Sequence, residues 1–141
     1  MTMHTRNFDL IAFDWDGTLY DSTTIIVRCI QAAVRDVGGT VPTDKAAGYV
    51  IGLGLMQKRE WKPALDFLAR ANLDPQKPGI SLGTVLYYQG RCYEELGDSN
   101  LAQNHYSRAR DFPDATVGTP DGLMVSALAE RRLRFLRKSR R

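Results

Sequence analysis

Shifted against itself by 38 residues, the sequence places Gly52 on Gly90, Leu55 on Tyr93, Ala64 on Ala102, Leu68 on Tyr106, Ala71 on Ala109 and Pro75 on Pro113. Small residues fall on small ones. Two antiparallel helices approach closely only where glycine or alanine removes side-chain bulk, so the shift predicts stacked helical hairpins across the middle of the chain. A length of 141 residues, with 43% hydrophobic and 25% charged side chains, suits one ordinary domain or two small units and excludes a disordered chain or a disulfide scaffold. No apolar run approaches the roughly 20 residues that span a bilayer, and residues 1–8 are too polar for a signal-peptide core.

The turn signals around these hairpins divide the chain into about six helices. Residues 8–13 form a short apolar run, read as the one strand, which ends at an Asp-x-Asp-Gly-Thr turn. Ser22 or Thr23 caps a helix with Ile26, Ile30, Ala33 and Val37 on its stripe, and Gly38 and Gly39 stop it. Thr43 or Asp44 opens a second helix through Ala47, Val50 and Ile51, weakened by Gly48, Gly52 and Gly54. Pro63 sits in the first turn of a third, which Asn72 and Pro75 end. Two more follow, one carrying Leu82, Val85, Leu86, Gly90, Tyr93 and Leu96 up to Gly97, the other capped by Asp98 or Ser99 and carrying Leu101, His105 and Tyr106. Asp121 is the expected cap of a last helix whose apolar positions include Met124, Val125, Leu128, Ala129, Phe135 and Leu136.

Residues 83–116 resemble the tetratricopeptide family. Gly90, Tyr93, Gly97, Ala102, Tyr106 and Ala109 stand at that family's mutual spacing with Pro113 near its closing proline, while Leu86 and Gln89 occupy places where the signature favours Trp and Leu. The preceding unit matches in its second helix and poorly in its first, with an insertion that contains Pro78 and Gly79. The resemblance implies a protein-binding scaffold that grips a peptide or protein partner in a groove, with those six residues as its packing positions.

The N-terminal run of residues 11–19, continued by Asp21 and Ser22, resembles the first motif of the haloacid-dehalogenase superfamily in its phosphoglycolate-phosphatase-like branch. Two aspartates spaced by two at a strand end project to one side, so that one carboxylate can attack phosphorus while the other serves the leaving oxygen as general acid. By resemblance Asp14 is the nucleophile, Asp16 the acid/base, both hold a weakly bound Mg²⁺, and Gly17 and Thr18 form the turn and orient a small phosphate ester. The resemblance covers residues 8–55 and then stops. The phosphate-binding hydroxyl, the lysine and the later acidic pair that such an enzyme needs have no good counterpart: Thr119 lies among prolines, Lys58, Lys62 and Lys77 fall on helix or loop, and Gly97-Asp98-Ser99 lacks its companion acid, Ala102 standing there. Nor does the chain beyond Leu55 carry the strand pattern of a parallel sheet. Gly52 and Gly54 likewise lack the third glycine of a dinucleotide loop.

The remaining candidates point to packing. His4 lies near the terminus, His105 falls on an apolar stripe, and Cys29 and Cys92 match no metal spacing, which suits buried thiols in a reducing cytoplasm. The last twelve residues hold seven basic side chains against Glu130 alone, a charge that suits the negative end of a helix dipole. Without a stacking platform beside it, nucleic acid is not the expected partner. The sequence thus predicts a mainly α fold of antiparallel, tetratricopeptide-like hairpins with one short N-terminal strand and no complete doubly wound sheet. Its expected units are residues 1–57, a phosphatase-like fragment; residues 58–119, the hairpins; and residues 120–141, a terminal helix and basic tail. The expected function is a helical-repeat interaction module carrying an incomplete phosphatase motif; the competing one is a Mg²⁺-dependent phosphatase.

Overall fold

The computed structural model describes residues 22–40, 43–118 and 121–140, with the side chains of residues 22–24 and 26 left aside. The described residues are mainly helical: α1 (Ser22–Asp36), α2 (Asp44–Gln57), α3 (Trp61–Arg70), α4 (Leu82–Glu95), α5 (Ser99–Ala109) and α6 (Val125–Ser139). They contain no sheet, only two isolated β-bridges. The strand expected at residues 8–13 lies outside them. The chain divides into two compact units between Val41 and Pro42, α1 belonging to the first and α2 to α6 to the second. Within the first, α1 ends just before Gly38 and Gly39, where the sequence places its stop.

In the second unit α2 packs on α3, α4 on α5, and α6 on α5. Each of these pairs is antiparallel. Gly48 approaches the backbone of Phe67 and Ala71 while Gly52, one turn later, approaches Leu68 and the Ala64 carbonyl. On the next hairpin Gly83 meets Phe112 and Ala115, and Gly90 meets Tyr106. Arg110 pairs with Glu130 and Asn100 with Arg140, which orients α6 against α5.

The repeat of 38 extends to helix limits and turn hydrogen bonds. Adding it to the limits of α2, Asp44–Gln57, gives those of α4, Leu82–Glu95, and adding it to the start of α3, Trp61, gives Ser99 of α5. Thr43 caps α2 by accepting from the Ala46 N–H at 3.2 Å, and Ser81 closes a capping box with Thr84 at the same place on α4. Both hairpin turns then run alike: Arg59 N–H donates to Met56 O and Glu60 N–H to Leu55 O, as Gly97 N–H donates to Glu94 O and Asp98 N–H to Tyr93 O. The turn places one residue in the left-handed region each time, Gly97 at φ 83° and Arg59 at φ 61°. Glycine suits that conformation without strain, whereas arginine meets its own Cβ there.

Close approach is the reason for the paired small residues. A methyl group at Gly52 would lie 2.8 Å from Leu68 Cγ, and one at Gly90 2.7 Å from Tyr106 Cε1. Leu68 and Tyr106 are both fully buried, as are Ala64 and Ala102 beside them. α2 therefore completes its length despite three glycines, because two of them admit α3 and so exchange helix propensity for packing. Val50, expected on its apolar stripe, is turned outward at 59% exposure; the stripe runs through Ala47, Ile51 and Leu55 instead.

The insertion after α3 is structured. Gly79 N–H donates to Asp114 O and Thr116 N–H to Gly79 O, both at 2.9 Å, joining the loops that follow α3 and α5. Beneath them the buried Thr84 hydroxyl accepts from Ser81 N–H at 3.1 Å and donates to Thr116 O at 2.7 Å. This pairing also moves the start of the last helix. Thr116 bridges Met124, Val117 N–H reaches Leu123 O, and Val125 N–H reaches Ala115 O at 2.8 Å. A backbone held in that reversal begins a helix only at Val125, so Asp121 stays in the turn and is not its cap. Met124 and Phe135, expected on the apolar face, are exposed, and the buried stripe is Val125, Ala129, Leu133 and Leu136.

Candidate partner-binding face

α2, α4 and α6 also touch one another in series. Tyrosines line this succession. Tyr49 of α2 tilts against Tyr88 of α4 with ring centroids 6.2 Å apart, Tyr88 meets Tyr87 edge-on at 5.5 Å, and Tyr87 leans on Tyr106 of α5 at 5.7 Å. Tyr49 and Tyr87 are equivalent positions of the repeat, 38 residues apart. The Tyr49 hydroxyl is buried beside Tyr88 without a hydrogen bond of ordinary geometry. Burial raises the hydroxyls of Tyr49, Tyr88 and Tyr106 above the ordinary phenol value of 10.0, each with a further contribution from a neighbouring tyrosine, so all stay protonated in neutral solution.

Next to the rings, Glu94 ties three helices together. Its carboxylate accepts from the Tyr106 hydroxyl of α5 at 2.6 Å and from Arg132 of α6 in a two-pronged contact, Nε at 3.1 Å on one oxygen and Nη2 on the other. Arg91, one turn earlier on α4, stands 3.7 Å from Glu94 and 3.6 Å from Glu95. Arg132 also covers the Phe135 ring at 4.8 Å. Burial, followed by the charge of Arg91, holds the Arg132 guanidinium below its ordinary value. The half-buried Tyr87 and Tyr88, with the guanidiniums of Arg91 and Arg132, can contact a polar chain, but they include no nucleophile paired with a base.

The residues expected to carry phosphatase chemistry, Asp14, Asp16, Gly17 and Thr18, lie outside the described residues, as do His4 and Thr119. Among the described residues no group of three His, Cys, Asp or Glu side chains is placed to hold a metal ion. Asp98, which imitates a late metal motif in the sequence, caps α5 by accepting from the Leu101 N–H at 3.1 Å. Lys58, Lys62 and Lys77 are exposed. His105 lies against Tyr93 with centroids 4.9 Å apart and bonds the Leu101 carbonyl, so it packs rather than ligates. Cys92 is fully buried, its thiol pushed up to about 12 by that burial, and both cysteines are free.

The repeat positions come together: Gly90, Ala102, Tyr106 and Ala109 are buried, Tyr93 is half-buried, and Gly97 makes the turn. Glu94 and Arg132 were not singled out from the sequence, although they stand 38 residues apart, the period of the repeat. Scanned against family models, curated proteins and solved structures, the chain returns no match. Among the described residues no helix is long and apolar enough to cross a membrane.

Proposed function

We propose that the chain is a helical-repeat protein-interaction module, tetratricopeptide-like in build, whose α2, α4 and α6 side holds a peptide segment of a partner protein. The observation that carries this reading is the 38-residue repetition of whole hairpins, turn hydrogen bonds included. Hairpins that repeat in register stack their first helices side by side, and such a succession forms an extended surface whose side chains recur at equivalent places. Here the recurring place holds Tyr49 and then Tyr87, with Arg91 and the Glu94–Arg132 pair beside the second. Tyrosine offers a rigid ring and a donor at low entropic cost, and arginine offers planar donors for carbonyl and carboxylate oxygens.

The test is selection of peptides from a random library on the purified full chain, followed by their titration against Tyr87→Ala and Arg91→Ala, with circular dichroism to confirm folding. The expected result is at least a fivefold loss of affinity in both variants. Selected peptides that bind both variants as tightly as the parent would overturn the assignment of this face.

A further inference from the structure

We infer that the solvent face of α6 is a seat for a second partner element, an acidic amphipathic helix supplied by another protein. The inference rests on the repeat reading above but concerns a different surface. In a stacked array each first helix is gripped on two sides, by the second helix of its own hairpin and by that of the hairpin before it. α4 shows this. It packs against both α5 and α3. It buries Leu86 and Gly90 toward α5, and also Val85 and Cys92, which lie outside the cluster that α4 shares with α5 and α6. At 3.6 residues per turn Val85 and Gly90 point about 140° apart.

α6 packs on α5 as α4 packs on α3, and among the described residues of the second unit its apolar contacts lie on one side. Its buried residues, Val125, Ala129, Leu133 and Leu136, form one stripe, all in the cluster shared with α5. About 180° away lies an outward face made of Ala127, Glu130, Arg131, Arg134, Phe135 and Lys138, all exposed but the half-buried Glu130. Phe135 is 53% exposed there. The outward face from Ala127 to Lys138 spans three turns, the length of an ordinary docked helix.

Charge selects the occupant. Arg131, Arg134 and Lys138 share this face with Phe135, whose ring Arg132 also covers, against one carboxylate, and that carboxylate is engaged within the chain: Glu130 accepts from Arg110 at 2.8 Å and from Arg134 at 3.4 Å. These partners hold Glu130 below the ordinary carboxylate range, the Arg110 hydrogen bond contributing most. The exposed Arg131 and Lys138, i and i+7 on one side of the helix, therefore present positive charge on either side of an apolar ring. A helix with acids at that spacing and an apolar residue between them complements the seat. A lipid surface suits it less, because α6 spends its apolar stripe on the core and leaves Phe135 and Ala127 as the apolar part of its outward face.

The experiment titrates the full chain with a helix-stapled 14-residue peptide carrying glutamates at i and i+7 and leucines at i+3 and i+4. A control peptide carries lysine at the glutamate positions. The expected result is saturable binding with amide shifts confined to α6, at least tenfold weaker for the lysine peptide, for Arg131→Glu with Lys138→Glu, and for Phe135→Ala. Tyr87→Ala should bind the acidic peptide unchanged, so loss of the tyrosine face and loss of this seat are read separately. Equal binding of both peptides, shifts outside α6, or indifference to all three seat substitutions would overturn the inference. So would tighter capture by phosphatidylserine vesicles than by the acidic peptide, or a self-association in sedimentation that the Arg131→Glu, Lys138→Glu variant abolishes.

Discussion

Arg59 and Gly97 do the same work with unequal ease. Both close a hairpin turn in the left-handed region through matching hydrogen bonds, and only one of them is glycine. Replacing Arg59 by glycine removes a steric penalty and adds backbone entropy to the unfolded chain, and the first effect is the larger, so Arg59→Gly should stabilise the protein by about 0.5–1 kcal/mol. Chemical denaturation checks it; a loss of stability would mean that the Arg59 side chain makes contacts worth more than its strain. The buried tyrosines supply a second prediction. Tyr49, Tyr88 and Tyr106 have hydroxyls raised above 10.0 in the folded state, so the folded chain holds their protons more tightly than the unfolded chain does. Their contribution is fully present below pH 10 and is lost as pH rises from there toward the raised values. Unfolding midpoints should fall steeply above pH 10, and Tyr106→Phe should flatten that fall; an unchanged slope would show that these phenols titrate freely.

At the scale of elements, the helices were legible because each carries its own punctuation: Thr43 and Asp98 cap, Gly38 stops, and alanine alternates with bulk at helical spacing. The loops were not. Nothing in a single sequence announces that Gly79 will pair with Ala115, or that Thr84 will place its hydroxyl under Thr116, 32 residues away, because backbone pairing carries no side-chain signature. The start of α6 was misplaced for that reason, since the bridge to Thr116 fixes it and Asp121 only looks like a cap. Ser81 was missed as a cap, although its serine and the threonine three positions on form a recognisable box. Thr84→Val keeps the volume and removes the hydroxyl that bonds the Ser81 N–H and the Thr116 carbonyl in a buried site, so it should cost about 1–3 kcal/mol. Thermal melting of this variant beside Thr84→Ser checks the point, and the serine variant should retain most of the stability; equal losses would trace the effect to packing instead.

For the whole molecule, the repeat was legible and the face it builds was only half so. Equivalent residues such as Tyr49 and Tyr87 can be found by the shift of 38, and the same shift sets Glu94 on Arg132, but it does not say that this second pair will bond. The binding reading also predicts what the chain does not do. Purified protein with Mg²⁺ should leave a generic phosphate ester unhydrolysed; hydrolysis that Asp14→Asn abolishes would restore the competing phosphatase reading. The account depends most on one joint used twice, Gly52 against Leu68 and Gly90 against Tyr106. Two double-mutant cycles measure it, Gly52→Ala with Leu68→Ala and Gly90→Ala with Tyr106→Leu, each by denaturant unfolding. Each glycine substitution alone should cost about 1–3 kcal/mol, and shrinking its partner should recover about 1 kcal/mol or more of that cost in both cycles; additive losses in either hairpin would contradict the repeat and the binding face built on it.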